Sequence, residues 1–382
     1  MLNYSFSTVL MTVLASNLLI IVISFCFRDQ EIMLSIGYKL VTLFLTLTVL
    51  RCIVPFEFPF AKNIYFSEWL SAIVALLRHS FFSFGFIHIS IWFFIGWGWA
   101  IGTIYHLCKI VAEKKVTEHY IARYSHNITD SEPYKSIMIQ VEKSQRLIHE
   151  CPLWIYRVFY SGTPMQVGTI YPSILIPYDM DLPEEKLVFV LHHEATHFYR
   201  HDTLVKDVIS IICAIYWWNP LCKRLKKQVD LLSEMHVDHQ IIKGDAETRR
   251  MYCEVLDDIA AQSARDSDFP ALQANSATGN NINQDLEYRY KMMFRQRGSN
   301  ILLAIFLTIL VLFIYIGSYR YTFEAHYMLP QHSPSIESVD SLGDNIYAVP
   351  LEDGTYDIYI FGIFDTNTNT LKQYPGIQIK QP

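Results

Sequence analysis

Long apolar runs constrain the fold of this chain more than any other feature of its sequence. The first, Phe6–Phe27, contains no charged residue and is long enough to cross a bilayer as a helix. It is not preceded by the basic segment typical of a cleaved signal peptide. A second run, Ile32–Val54, is interrupted by Lys39 near its start, where a long side chain can reach the nearer interface. We expect each of the two runs to form one membrane helix.

Two further runs, Phe81–Leu107 and Ile301–Gly317, predict a third and a fourth crossing. Between the second and third runs, Phe56–Arg78 predicts a connecting loop, with an amphipathic interfacial stretch at Phe66–Leu77. The composition is 51% hydrophobic and only 18% charged, which is too apolar for a soluble enzyme. The net charge of −6 is mild and predicts no direct contact with nucleic acid.

Basic residues predict the orientation in the membrane. Lys109, Lys114 and Lys115 follow the third run, and a basic cluster at 289–297 precedes the fourth. Because cationic residues beside a crossing mark the cytoplasmic side, the segment between these runs should be cytoplasmic and both chain termini extracellular. The expected organisation is three transmembrane helices in 1–108, a cytoplasmic domain in 109–300, a fourth transmembrane helix in 301–317 and a short extracellular tail in 318–382.

The tail is expected to contain a small β module. Tyr347–Leu351 and Thr355–Phe361 flank Glu352-Asp353-Gly354, which is a hairpin signal. No S-x-x-K motif of an acyl-enzyme sensor occurs in the tail.

Within the cytoplasmic segment, His193-Glu194-Ala195-Thr196-His197 has the pattern H-E-x-x-H. Residues four apart on a helix lie on the same face, so the two imidazoles can bind one metal ion. Imidazole nitrogen suits Zn²⁺, and Glu194 can take a proton from a zinc-bound water. His192 and His201 are interpreted as flanking polar residues.

The start of this helix is also signalled. Asp181 is a candidate cap, Pro183 suits the first turn, and Glu184 and Glu185 favour the helix dipole. An apolar stripe follows, as expected for a helix that faces a core.

A tetrahedral site needs a third protein ligand from another segment, with water in the fourth position. Glu234 is the residue that we expect to supply it. Asp238, one turn later, could accept a hydrogen bond from a ligand imidazole. The rival His236 points to another face of the helix than Glu234, and His239 is more typical of a solvated or packing histidine.

The segment 204–221 is strongly apolar and is broken by Asn219-Pro220. A full crossing here would place His193 and Glu234 on opposite sides of the membrane. We therefore favour a membrane-dipping hairpin, with a buried core helix or a marginal crossing as the alternatives.

Two strands are predicted before the zinc helix, Leu153–Tyr160 and Met165–Ile176. Prolines at 164, 172 and 177 should confine the second strand to a sheet edge. Such an edge could bind an extended peptide by strand addition, although an ordinary edge strand fits the pattern equally well.

In their order along the chain, these motifs resemble the BlaR/MecR-type integral-membrane metallopeptidases, the antirepressor peptidases of bacterial β-lactam signalling. The resemblance implies four membrane helices, with a cytoplasmic gluzincin domain inserted between the third and the fourth. It also implies His193, His197 and Glu234 as zinc ligands and Glu194 as general base. The resemblance covers roughly residues 1–317 and rests on Arg51–Pro55, Pro164–Gly168, Pro172–Pro177, His193–His197 with Arg200 and Asp202, Trp218–Pro220, and Glu234 with Asp238.

In that family, an outside signal leads to cleavage of the peptidase itself or of a cytoplasmic repressor. The polar loop Gln262–Gln284 is a candidate for self-cleavage. The signalling members carry a long extracellular penicillin-binding sensor, for which the segment 318–382 has no room. The expected partners are the lipid bilayer and a protein or peptide substrate such as a cytoplasmic repressor, and a homodimer is left open.

The sequence thus predicts a multi-pass α-helical membrane protein with an inserted α+β gluzincin-type zinc peptidase domain and a short β-rich tail. One alternative is a membrane protease of the HtpX or CAAX-processing type, in which membrane helices separate H-E-x-x-H from the later Glu. The other is a membrane transducer with a structural zinc site.

Overall fold

The computed structural model describes residues 6–55, 58, 61–65, 77, 80–84, 87–145, 153–160, 162–242, 245–263, 279–294, 300–324, 346–350, 356–360, 363–368 and 378–379. The chain forms two compact units. The first contains residues 1–66 and 72–325, and the second contains residues 67–71 and 326–382.

Helices dominate the first unit. In chain order they are α1 (Phe6–Arg28), α2 (Gln30–Ile36), α3 (Tyr38–Ile53), α4 (Ile91–Tyr124), α5 (Tyr134–Gln145), α6 (Glu184–Tyr199), α7 (Asp202–Ile215), α8 (Pro220–Ile242), α9 (Ala246–Ser263), α10 (Gly279–Phe294) and α11 (Ile301–Arg320). The strands of this unit are β1 (Lys62–Tyr65), β2 (Ser80–Phe84), β3 (Ile87–Ser90), β4 (Ser125–Asn127), β5 (Trp154–Val158), β6 (Met165–Val167), β7 (Ser173–Pro177) and β8 (Tyr321–Glu324).

Three of the described helices, α1, α4 and α11, are long and apolar enough to cross a membrane. The second predicted crossing differs from expectation, because it is divided into α2 and α3, which meet at an angle of 91°. The break lies at Gly37, whose φ of 80° is in a region that residues with a side chain rarely adopt. The described residues therefore contain three candidate spans, or four if the bent pair forms one span.

The third predicted crossing begins later and ends later than expected. Strands β2 and β3 form an antiparallel hairpin, so the helix starts only at Ile91. The alternation in Ile87-His88-Ile89-Ser90 has the period of a strand. At its other end α4 continues past Leu107 to Tyr124, because the charged residues that follow are good helix formers. The expected boundary at residue 108 is therefore not a break in the structure.

The sheet beside the H-E-x-x-H helix has the order β4-β5-β7-β6. The prediction of one strand over Met165–Ile176 is wrong, because β6 and β7 are the two arms of an antiparallel hairpin. The chain turns at Gly168, where φ is 82° and a Cβ would lie 2.3 Å from the carbonyl oxygen of Tyr171. Of these two arms, β6 lies at the edge, while β7 is buried at all five residues and pairs in parallel with β5.

Helix α6 packs on this sheet through a hydrophobic core. Apolar burial of this kind fixes the rotation of α6 and thereby directs its polar face away from the sheet. The core contains Ile155, Ile174, Ile176, Leu187, Leu191 and Ala195.

Helices α7 and α8 form a helical hairpin that turns back at Tyr216–Asn219. Its core is shared with α1 and α3 and includes Leu19, Ile23, Phe44, Ile209, Ile212, Leu225 and Val229. Near the turn, Asn219 Nδ2 donates a hydrogen bond to Asn17 Oδ1 at 2.7 Å. The segment 204–221 therefore enters the helical bundle and returns.

The second unit contains a four-stranded sheet of order β11-β10-β9-β12, formed by β9 (Ile346–Pro350), β10 (Tyr356–Ile360), β11 (Ile363–Thr368) and β12 (Gln378–Ile379). The two predicted strands are present as β9 and β10, and they pair antiparallel from Pro350 opposite Tyr356. The turn signal at 352–354, residues 264–278 of the predicted loop Gln262–Gln284 and the amphipathic stretch at 66–76 lie outside the described residues. The remaining residues of that predicted loop belong to α9 and α10, so the prediction of a loop is wrong there.

Candidate metal centre

Helix α6 carries His193, Glu194 and His197. It begins at Glu184 with Pro183 at the N-cap position, and no side chain caps it. The predicted cap Asp181 is therefore wrong, because the helix starts three residues beyond it. The acidic first turn is as expected, with Glu184 and Glu185 next to the positive end of the helix dipole.

Three donor groups converge on one point. His193 Nε2 and His197 Nε2 lie 3.2 Å apart. Glu234, which α8 supplies, places Oε2 at 3.3 Å from His193 Nε2 and Oε1 at 3.4 Å from His197 Nε2. In the described part of the chain, His193, His197 and Glu234 form a cluster that could hold one metal ion.

The spacing of the two imidazole donors fits a small tetrahedral cation, and the carboxylate of Glu234 faces both of them. Zinc–nitrogen and zinc–oxygen bonds of ~2.0–2.1 Å at tetrahedral angles put neighbouring donor atoms ~3.3–3.4 Å apart. His193 Nε2 and His197 Nε2 lie 3.2 Å apart, and each faces a different oxygen of Glu234, Oε2 at 3.3 Å for His193 and Oε1 at 3.4 Å for His197. Two imidazoles and one carboxylate are also a donor set that catalytic zinc sites use.

Asp202 is hydrogen-bonded to the candidate ligand His197. Its Oδ2 lies 2.8 Å from His197 Nδ1, and because a carboxylate only accepts, Nδ1 carries the proton and Nε2 is left as the donor to a metal. Ser233 Oγ donates to the same oxygen at 2.6 Å, and Arg200 Nε lies 3.4 Å from it. From the sequence, Asp202 was identified only as one of the residues that carry the family resemblance. Its hydrogen bond to His197 was not predicted.

The other candidate ligand, His193, is held through a tyrosine. Its Nδ1 lies 2.7 Å from the hydroxyl of Tyr252, which donates to Asp238 Oδ1 at 2.7 Å. Asp238 lies 3.9 Å from His193 Nδ1 and is therefore not its direct acceptor, contrary to expectation. Arg289 completes the chain with two hydrogen bonds to Asp238, at 2.8 and 2.6 Å.

Neither Tyr252 nor Arg289 was identified from the sequence as part of the site. Arg289 was assigned to the basic cluster before the fourth crossing, but its side chain is only 13% exposed and contacts Asp238 and Glu234. No local motif marks either residue, since they lie on α9 and α10 and reach the site only through helix packing.

The pKa values of the two carboxylates of the site are shifted in opposite directions. Burial raises the pKa of Glu194, and the nearby imidazoles of His193 and His197 offset this only in part. Burial would also raise the pKa of Glu234, but the charges of His197 and Arg289 hold it well below its usual range. One carboxylate is thus suited to hold a proton and the other to remain anionic.

The rival histidines lie elsewhere. His236 Nδ1 is 3.0 Å from the carbonyl oxygen of Leu232, and the rings of His236 and His239 both pack against Tyr38, at 5.5 and 5.6 Å. His201 is exposed in the turn after α6, with a φ of 56°.

Comparison with known proteins identifies the family. Residues 86–288, more than half of the chain, match the family described as BlaR1 peptidase M56. The chain is also 28% identical over 122 residues to the regulatory protein BlaR1 of Bacillus licheniformis. That similarity covers 31% of this chain and 20% of the relative, so the chain spans about a fifth of the relative's length. The match of residues 86–288, which contain all three candidate ligands, shows that the chain belongs to the BlaR1 peptidase M56 family.

Proposed function

We propose that this protein is a membrane-embedded zinc endopeptidase of gluzincin type that acts in signal transduction by cleaving itself or a cytoplasmic protein such as a repressor. The observation that carries the proposal is the convergence of His193, His197 and Glu234, whose donor atoms lie close enough together to hold one metal ion, beside the buried Glu194. Membership of a peptidase family supports the same chemistry.

Bound zinc would supply Lewis acidity, lowering the pKa of a coordinated water and polarising the scissile carbonyl. Glu194 acts as general base and then returns the proton to the leaving amine. Its raised pKa suits this exchange, because a base is most effective when its pKa lies near the working pH. Asp202 and Tyr252 hold the two imidazoles in the orientation that the site requires.

The substrate is proposed to bind in extended form along β6. This strand lies at one edge of the sheet in the described residues, and the backbone N–H of Gln166 is near enough to Glu194 to lower the pKa of its carboxyl. A peptide added to β6 would therefore pass directly beside the general base. Strand addition supplies affinity through main-chain hydrogen bonds and is compatible with many sequences.

We further propose that four spans cross the membrane, with the bent pair α2–α3 as the second, the peptidase domain cytoplasmic and both termini extracellular. The hairpin α7–α8 would dip to mid-membrane. Its turn contacts Asn17, which lies ~16 Å along α1 from Arg28. The end of α7 beside the turn contacts Trp99, which lies ~15 Å along α4 from Lys109. Both distances are about half of a ~30 Å hydrocarbon core.

This hairpin also bears on the HtpX and CAAX-processing alternative. In that arrangement membrane helices separate the H-E-x-x-H motif from the later glutamate. Here the segment between His197 and Glu234 turns back at Tyr216–Asn219, and Glu234 thereby returns to within 3.3 Å of His193. The hairpin therefore favours the M56-type arrangement.

The test compares the wild-type chain with Glu194→Gln and with Glu185→Gln, all expressed in membranes. Glu185 lies on the same helix in its exposed first turn, so its variant is a matched control. We expect one zinc per chain in all three proteins and proteolytic fragments, of the chain or of a co-expressed repressor, in the wild type and Glu185→Gln only. Unchanged cleavage by Glu194→Gln with zinc retained would refute the role of the base. Zinc in every protein with fragments in none would favour a transducer with a structural metal site.

A further inference from the structure

The turn between β6 and β7 exposes two large apolar side chains next to each other. Ile170 is 79% exposed and Tyr171 is 80% exposed. Gly168 begins this turn with a φ of 82°, and a Cβ there would lie 2.3 Å from the carbonyl oxygen of Tyr171. Two adjacent large apolar residues exposed at the tip of a hairpin mark a candidate contact surface.

Two contacts fix the direction in which this hairpin points. The side chain of Gln166, in β6, is hydrogen-bonded to Thr203, and Thr169, at the turn, donates to Asp207 Oδ2 at 2.7 Å. Asp207 lies ~6 Å further along α7 than Thr203, toward the turn of the α7–α8 hairpin. The tip of the β6–β7 hairpin therefore points the same way as α7, toward the apolar helices.

A third contact indicates the depth of the tip relative to the apolar part of α4. Asp207 also forms an ion pair of 2.6 Å with Lys114 of α4. The uncharged part of α4 ends at Lys109, and Lys114 lies ~7–8 Å beyond it. The polar headgroup layer on each side of a bilayer is ~5–8 Å thick. The tip is thus at the height of the headgroups if α4 crosses the membrane as its composition indicates.

We propose that Ile170 and Tyr171 insert into the lipid headgroup region on the side of Lys109 and Lys114. Tyrosine is enriched at this depth, because its ring is apolar and its hydroxyl remains hydrated. Lys115, which is exposed on α4 next to Lys114, favours anionic lipids. The apolar surface continues on α7 through Leu204 and Val205, which are 50% and 46% exposed. Contact with the bilayer thereby stabilises the position of the sheet that contains β6.

The proposal is tested by photocrosslinking in vesicles of phosphatidylcholine and phosphatidylglycerol. Tyr171→p-benzoylphenylalanine is compared with Tyr178→p-benzoylphenylalanine. Tyr178 is 52% exposed on the same sheet, but it follows the end of β7 that is distant from the tip. Because β7 runs away from the tip at ~3.3 Å per residue, the control position lies well outside the headgroup layer.

We expect phospholipid adducts, detected by mass spectrometry, at position 171 and not at position 178. Ile170→p-benzoylphenylalanine, at the same tip, should also give lipid adducts, and it replaces the first variant if that one does not fold. Crosslinks from both tip positions to protein, whether within the chain or to a second copy, would overturn the proposal. Equal lipid labelling at the tip and at position 178 would overturn it as well.

Discussion

Asn219 donates a hydrogen bond to Asn17 at 2.7 Å, and this contact joins the turn of the α7–α8 hairpin to the middle of α1. Both residues lie in a bundle whose other contacts are mainly apolar. A polar pair in such surroundings fixes the depth and the register of the hairpin, because each amide would be costly to bury without the other.

A double-mutant cycle should measure this pair. Asn17→Ala and Asn219→Ala are each expected to destabilise the bundle, with a coupling of about 0.5–1.5 kcal/mol, as is usual for polar pairs between membrane helices. Asn219 also accepts a hydrogen bond from the backbone N–H of Leu221, and the cycle cancels this separate loss. Unfolding in micelles gives the four free energies, and a coupling near zero would contradict the register role.

Gly102 should be required for the packing of α4 on the hairpin. A Cβ at this position would lie 2.4 Å from the indole of Trp217, so Gly102→Ala is expected to cost about 1–3 kcal/mol in the free energy of unfolding. Gly98→Ala is the control, since a Cβ there meets nothing within 4 Å. Both variants gain the same helix propensity, and thermal unfolding of the two therefore isolates the steric clash.

Asp202→Asn should weaken metal binding. The change removes the negative charge that holds Nδ1–H of His197, and loss of such a partner typically costs ~10–100-fold in metal affinity. Competition with a chromophoric chelator measures the affinity. Asp258→Asn, which alters only a partly exposed pair with Lys186, should leave it unchanged. Equal affinities in both variants would refute the orienting role.

Tyr252→Phe should have a smaller effect of the same kind. The variant removes the hydroxyl between His193 and Asp238 but keeps the ring and the pairing of Asp238 with Arg289. We expect a loss in zinc affinity of about tenfold, at the lower end of the range for such partners. Tyr290→Phe, which loses a hydroxyl bonded to Asp257 away from the metal centre, is the matched control.

Metal uptake should depend on pH above neutrality. Burial alone would lower the pKa of His197, but Glu234 and Asp202 raise it to about 9 in the metal-free protein. The imidazole is therefore protonated at pH 7 and must lose that proton to bind a metal. Log affinity is expected to rise by about one per pH unit from pH 7 to pH 9 and then to level off. Calorimetry in buffers of different ionisation enthalpy counts the released protons, and none at pH 7.5 would contradict this.

The sequence alone was sufficient to locate the apolar helices and the residues that converge at the candidate metal centre. Both depend on short-range patterns. A span is a continuous run of apolar residues, and the pair His193 and His197 is set by the repeat of a helix. Glu234 was chosen because a tetrahedral site requires a third ligand from another segment, and the downstream segment 233–239 offered one, with His236 and His239 as rivals.

Tertiary structure alone decided how the ligands are supported and where the chain bends. Tyr252 and Arg289 reach His193 and Asp238 only because α9 and α10 pack beside α6 and α8, and no spacing along the chain encodes that contact. For α7–α8 the sequence favoured a hairpin, but it left a buried core helix or a marginal crossing open, because an apolar segment of this length suits all three. Packing against α1 at Asn17 selects the hairpin, because side chains distant in sequence must satisfy one another's polar groups inside an apolar bundle.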